Sequence, residues 1–127
     1  SKLCAENFAE FGRLHDNAAD GMYWTSERIR GAIDRWHIFG RYSDGRLVDA
    51  LYALDEGILW EIFGIDNARE RSAAAVTELI SALAGEAQSA GARHIVYFCG
   101  DSEFDCVLKS LGFRRVGKYL YFVRRGE

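Results

Sequence analysis

The feature that most constrains this chain is a change in the period of its apolar residues. Between His37 and Ile65 apolar and polar side chains alternate with a period near two, and three strands are predicted: His37 to Ser43, Arg46 to Leu54 and Ile58 to Ile65. Asp44-Gly45 is a tight hairpin signal between the first two, and Asp55-Glu56-Gly57 a second turn. From Glu70 to Ala90 the period becomes 3.6, with Val76, Leu79, Ile80, Leu83, Ala84 and Ala87 on one helical face. Gly91 ends that helix, and His94 to Cys99 is a short apolar strand of the kind buried on both faces. A strand, a long helix and a buried strand in that order make a parallel, right-handed crossover.

The flanks fit round this unit. Phe8, Phe11 and Leu14 recur at helical spacing between Glu6 and Ala18, and Asp20-Gly21 breaks the pattern. Thr25 or Ser26 caps a short second helix, whose start Glu27 favours and whose buried stripe is Ile29, Ile33 and Trp36. Asp101-Ser102-Glu103 opens a last helix that stops at Gly112, and Phe113 to Arg124 is a final strand or strand pair. The fold class is α/β in the α+β sense: a mixed antiparallel and parallel sheet flanked by about four helices. With no linker, repeat or low-complexity tract, residues 1–127 read as a single domain. Ser1 in place of Met suggests a trimmed chain, a fragment or one half of a longer protein.

Composition excludes several classes. Hydrophobic residues at 49% and charged residues at 28% are those of a globular chain, not a disordered one. A net charge of −3 disfavours a nucleic-acid partner. No apolar run reaches the ~20 residues of a membrane span, and no signal peptide is visible. Cys4, Cys99 and Cys106 are read as free thiols of a reducing cytoplasm. His15, His37 and His94 are scattered and lack zinc spacing; there is no Gly-x-Ser-x-Gly elbow and no Walker loop. His94 and Cys99, five apart on one strand, face opposite ways. Asp101, Glu103 and Asp105 read as an acidic helix start rather than a calcium loop. Arg114, Arg115, Lys118, Arg124 and Arg125 read as a solvated basic surface, with a patch for an acidic partner or a cofactor phosphate as the functional alternative.

Three short matches carry a family resemblance. They are Leu111-Gly112-Phe113 between the last helix and the last strands, Ala90-Gly91-Ala92 at the end of the long helix, and Arg71-Ser72-Ala73-Ala74-Ala75-Val76 at its beginning. With the element order, they make the stretch from Trp36 to Arg124 resemble the GNAT family of acyl-CoA N-acyltransferases, whose pyrophosphate motif is Arg/Gln-x-x-Gly-x-Gly/Ala. The resemblance implies acetyl-CoA or coenzyme A as the cofactor substrate. It puts the pyrophosphate on Arg69, Arg71, Ser72, Ala73, Ala74, Ala75 and Val76, and the pantetheine along the strand carrying Phe63 and Ile65. Ala74 and Val76 stand where the family has glycine, and Asp66 and Glu70 add negative charge at the same end. An ordinary helix start capped by Asp66 or Asn67 is the plain alternative.

The family's frequent general base is a carboxylate on the strand before the cofactor helix, which here is Glu61, among apolar neighbours that would raise its pKa. A solvated or salt-bridged sheet position is the structural alternative. The tyrosine that protonates the leaving thiolate is replaced by Leu108, and nothing selects among Tyr42, Tyr52, Tyr97, Tyr119 and Tyr121. Met22-Tyr23-Trp24 falls where the family's acceptor site is bordered, or staples the helices to the sheet. Two functions follow. One is acetyl transfer from acetyl-CoA to an amine, a small molecule or a peptide N-terminus, with no nucleic acid or membrane involved. The other is a catalytically inactive GNAT-like binding or dimerisation module that takes a second copy as its partner.

Overall fold

The computed structural model describes residues 8–18, 25–67, 72–98, 109, 113–116 and 119–123. Arg69, Glu70, Arg71, Met22-Tyr23-Trp24, Leu108, Leu111-Gly112 and the three cysteines lie outside them, as does the predicted helix from Asp101 to Gly112 apart from Lys109. The elements are α1 (Phe8–Ala18), α2 (Ser26–Gly31), a 3-10 turn (Ile33–Arg35), β1 (Trp36–Ser43), β2 (Arg46–Asp55), β3 (Leu59–Asn67), α3 (Ala73–Ser89), β4 (His94–Phe98), β5 (Arg114–Val116) and β6 (Tyr119–Val123).

The strands form one sheet in the order β1-β2-β3-β4-β6-β5. β1, β2 and β3 are an antiparallel meander; β3 and β4 are parallel, and β4, β6 and β5 pair antiparallel. The mixed sheet and the α3 crossover are those the change of period predicts. Asp44 (φ 52°) and Gly45 (φ 78°) close the β1–β2 hairpin in the left-handed conformation that an Asp-Gly pair tolerates.

A core cluster covers each face of the sheet. One side carries α3, whose Val76, Leu79, Ile80, Leu83 and Ala87 pack on Phe39, Leu51, Trp60, Ile62, Ile65, Ile95, Tyr97 and Phe113. The other side carries Phe8, Phe11 and Leu14 of α1 and Ile29 of α2 over Trp36, Ile38, Ala50, Tyr52 and Leu54. Full burial of each large apolar side chain contributes about 1.5–3 kcal/mol, so these two layers are the main source of stability. Asp16 joins the two helices: its carboxylate accepts from the Ser26 backbone N–H (2.9 Å) and hydroxyl (2.6 Å), while Thr25 caps α2.

Three sequence expectations are corrected. Ile29, Ile33 and Trp36 are not one helical stripe, because α2 ends at Gly31 and the chain turns through the 3-10 segment; Ile33 is exposed and Trp36 opens β1. The long helix starts at Ala73 rather than Glu70, since Ser72 is extended (φ −119°, ψ 152°) and its hydroxyl accepts from the Ala75 N–H at 3.1 Å. Neither Asp66 nor Asn67 caps that helix, because β3 extends past Ile65 to include both.

Within β3 the register shifts. Tyr52 pairs with Gly64 and Ala53 with Ile62, so Phe63 is the extra residue of a β-bulge. The bulge reverses the phase of the strand: Trp60 and Ile62 face α3 before it, Ile65 after it. Gly64 is required here, because a Cβ at this position would stand 2.7 Å from the Tyr52 hydroxyl oxygen, and that ring is fully buried. Gly64→Ala is expected to destabilise the fold by about 1–3 kcal/mol, the range for overpacking. In a Tyr52→Phe background, which removes the nearest atom, the cost should be smaller; urea denaturation of the four proteins measures both effects.

Candidate active site

The bulge falls where the two parallel strands end their pairing. Leu59, Trp60, Glu61 and Ile62 pair with His94, Ile95, Val96 and Tyr97 in turn. Among the described residues no β3–β4 pair follows, although β3 runs on to Asn67 and β4 to Phe98, which pairs with Tyr119 of β6. The carboxyl ends of neighbouring parallel strands are where open sheets place ligands. The α3 N-terminus stands at the same end. Its cap engages the Ala75 N–H, and Ala73 and Ala74 are exposed at the start of the first turn. Backbone N–H groups and the positive end of the helix dipole make such a start suited to an anion.

By sequence, no family model and no curated protein matches the chain. By structure, many solved acetyltransferases do. Aminoglycoside 6′-acetyltransferase type Ii superimposes with a TM-score of 0.77 over 100% of this chain and 97% of its own, at 15% identity. The ribosomal-protein-S18-alanine N-acetyltransferase from Escherichia coli gives 0.79 over 100% and 94%, at 12% identity. A GNAT family acetyltransferase from Brucella melitensis, solved in complex with acetyl-CoA, gives 0.73 over 100% and 87%, at 15% identity.

The chain has the GNAT fold. Within that fold β3 and β4 are the parallel pair and α3 the helix that connects them. Val76 lies on the apolar face that the period of the helix predicts and is buried to 2% exposure in the core under α3, so its isopropyl group packs inward. One sequence reading changes: Asp66 does not put its charge on the helix start. Its carboxylate is buried beside His15 of α1, with Oδ2 at 2.6 Å from Nδ1. Among the described residues Ser72, Ala73 and Ala74 are exposed at the start of α3.

Glu61 is half-buried and has Leu54 and Val96 as its cross-strand partners, so no arginine stands directly opposite it. Burial raises its pKa above the ordinary carboxylate range, and the Glu56 charge adds to the shift. Of the tyrosines, Tyr42 is exposed on β1, Tyr97 is buried against α3, and Tyr52 is buried beneath the bulge. Burial pushes the Tyr52 hydroxyl far up, and the nearby Asp66 charge adds to this, so Tyr52 stays protonated. Tyr119 and Tyr121 lie on β6. A separate groove of about 300 Å³ opens between α1 and α2, bordered by Gly12, Arg13, Asp16, Ser26 and Arg30.

Sequence reasoning missed the polar groups that surround the end of β3. Asn67 Nδ2 donates to Asp49 Oδ1 (2.6 Å), Arg41 Nη1 donates to Asp49 Oδ2 (3.0 Å), and Arg41 Nε donates to Glu78 Oε2 on α3 (2.8 Å). His15 and Asp66 are 51 residues apart, and His37 and Asp55 18 apart, so no local spacing could reveal either pair.

The raised Glu61 pKa has a sign. A protonated Glu61 favours the folded state, so its contribution is fully present below the unfolded-state pKa and is lost as pH rises through the folded-state value. Glu61→Gln should therefore raise the melting temperature at pH 7 to 8 relative to wild type, with the gain shrinking toward pH 4. Thermal melts across that range check it.

Proposed function

We propose that the chain is an acyl-CoA-dependent N-acyltransferase that moves an acetyl group from acetyl-CoA to an amine. The observation that carries this reading is the end of the parallel ladder at Ile62–Tyr97 beside the exposed start of α3, in a fold shared along its whole length with acetyltransferases. One of these neighbours is solved with acetyl-CoA. The names of two others specify a 6′-acetyltransferase of aminoglycosides and an N-acetyltransferase of an alanine, which makes a primary amine the acceptor class to test first.

The residues fit the group. The pantetheine arm would run along β3 at Phe63 and Ile65 in the manner of an added strand. The pyrophosphate would be held at the α3 start by the N–H groups of Ala73 and Ala74, ahead of the Ala75 and Val76 N–H groups that Ser72 engages, with Arg69 and Arg71 as its cations. When bound, acetyl-CoA supplies an activated thioester carbonyl. The amine nitrogen bonds to that carbon, the carbon–sulfur bond breaks, and the sulfur leaves as thiolate. Glu61, kept basic by its half-buried place in β3, takes the proton lost by the amine, directly or through a water.

The cofactor test comes first. Millimolar acetyl-CoA, at ~100 times a dissociation constant of tens of micromolar, stabilises the native state by ~2.7 kcal/mol. That corresponds to a rise on the order of 10 °C in melting temperature for a chain of this size. Arg71→Ala should shrink the shift. No shift with acetyl-CoA or free coenzyme A at several millimolar would leave a non-catalytic module with a GNAT fold, the reading that Ala74 and Leu108 favour. Glu61→Gln should lower acetyl transfer to a primary amine by ~10²-fold or more with coenzyme A affinity unchanged. Its rate should also lose the acid limb that wild type shows as Glu61 protonates. A variant that keeps the full rate from pH 6 to 9 would remove Glu61 from the role of base.

A further inference from the structure

We propose that Asp49 and His15 are positioning residues that fix the end of β3, from opposite faces of the sheet, against the helix that starts the cofactor site. The proposal rests on the coenzyme A reading above and deepens it.

The observation is the geometry round the last two residues of β3. On the α3 face, Arg41, Asp49 and Asn67 are successive cross-strand partners on β1, β2 and β3, and their side chains are joined in that order through the Asp49 carboxylate. Arg41 carries the row onto α3 through Glu78. Asp49 is 5% exposed, so its charge is compensated by these donors and not by water. On the other face Asp66 is 6% exposed and paired with His15, itself 1% exposed and stacked on Phe11 of α1. Adjacent residues of one strand point to opposite faces, and here each is held by a charged or titratable partner from a different element.

The placement gives this a purpose. Past Ile62 the sheet partner of β3 among the described residues is β2, and the strand must still deliver Asn67 at a fixed distance from Ser72, where α3 begins. Apolar residues could fill both sites at equal or greater stability, but they would not fix direction as a short hydrogen bond to a carboxylate does. Sites that bind phosphate through backbone groups depend on such support, because backbone cannot adjust by changing rotamer.

The test separates pyrophosphate from the rest of the ligand. Coenzyme A is titrated calorimetrically, and pantetheine, which lacks the pyrophosphate, by NMR, into wild type, Asn67→Ala, His15→Leu and His15→Asn. The expected result is a coenzyme A affinity about tenfold weaker in Asn67→Ala and His15→Leu, the worth of about one hydrogen bond, with pantetheine binding unchanged. His15→Asn keeps an N–H donor near the Nδ1 position and should restore most of the loss. Arg41→Lys, at a half-exposed side chain that cannot fork between Asp49 and Glu78, should give a smaller loss of the same kind, and it decides the matter if the other variants do not fold. Wild-type affinity in the variants overturns the positioning role alone, as does an equal loss for both ligands. Failure of wild type to bind coenzyme A overturns the acyltransferase reading and this proposal with it.

Discussion

The bulge at Phe63, next to a glycine that clears the Tyr52 hydroxyl, is the constraint on which the rest of the molecule depends. Before it, β3 is a central strand paired on both sides; after it, the strand has changed phase, so that Ile65 faces the α3 core and Asp66 faces α1. An extra residue bends a strand and increases its twist, and this one comes immediately after the last pair with β4. Among the described residues the parallel pairing ends at this bulge, whose local geometry one buried phenol and one missing side chain define.

Buried polar groups collect at that end of the sheet. The interior below it is mainly apolar on both faces, from Trp60 and Leu83 on one side to Phe11 and Ile29 on the other. Asp49, Asp66 and His15 are the buried carboxylate and imidazole side chains of the described core, and each is matched to a partner within hydrogen-bond distance. Such pairs add little net stability over an apolar filling, because desolvation offsets most of their attraction. Their effect is directional, and they stand at the end of β3, ahead of α3.

Glu61 shows the opposite balance. A half-buried carboxylate with apolar partners across both neighbouring strands works against folding at neutral pH. In the role proposed for Glu61, a pKa above the ordinary carboxylate range suits proton transfer near neutrality, and the apolar strand that raises it also destabilises the ionised fold. No helix among the described residues is long and apolar enough to cross a membrane.

What the sequence determined by itself was the order of elements and the crossover. Periods of two and 3.6, the Asp44-Gly45 turn and Gly91 are local signals, and each is read by the few residues around it. The apolar run of Glu61's strand and the small residues Ala73 and Ala74 were legible for the same reason. Element ends were less so: β3 took Asp66 and Asn67, and α3 began only after Ser72, because a hydroxyl cap and a ladder with β2 outweighed helical periodicity. The His15–Asp66 pair and the Arg41–Asp49–Asn67 row were decided by tertiary structure alone. They join residues far apart in the chain, and only the register of the strands, set by a bulge that no local pattern announces, brings them together.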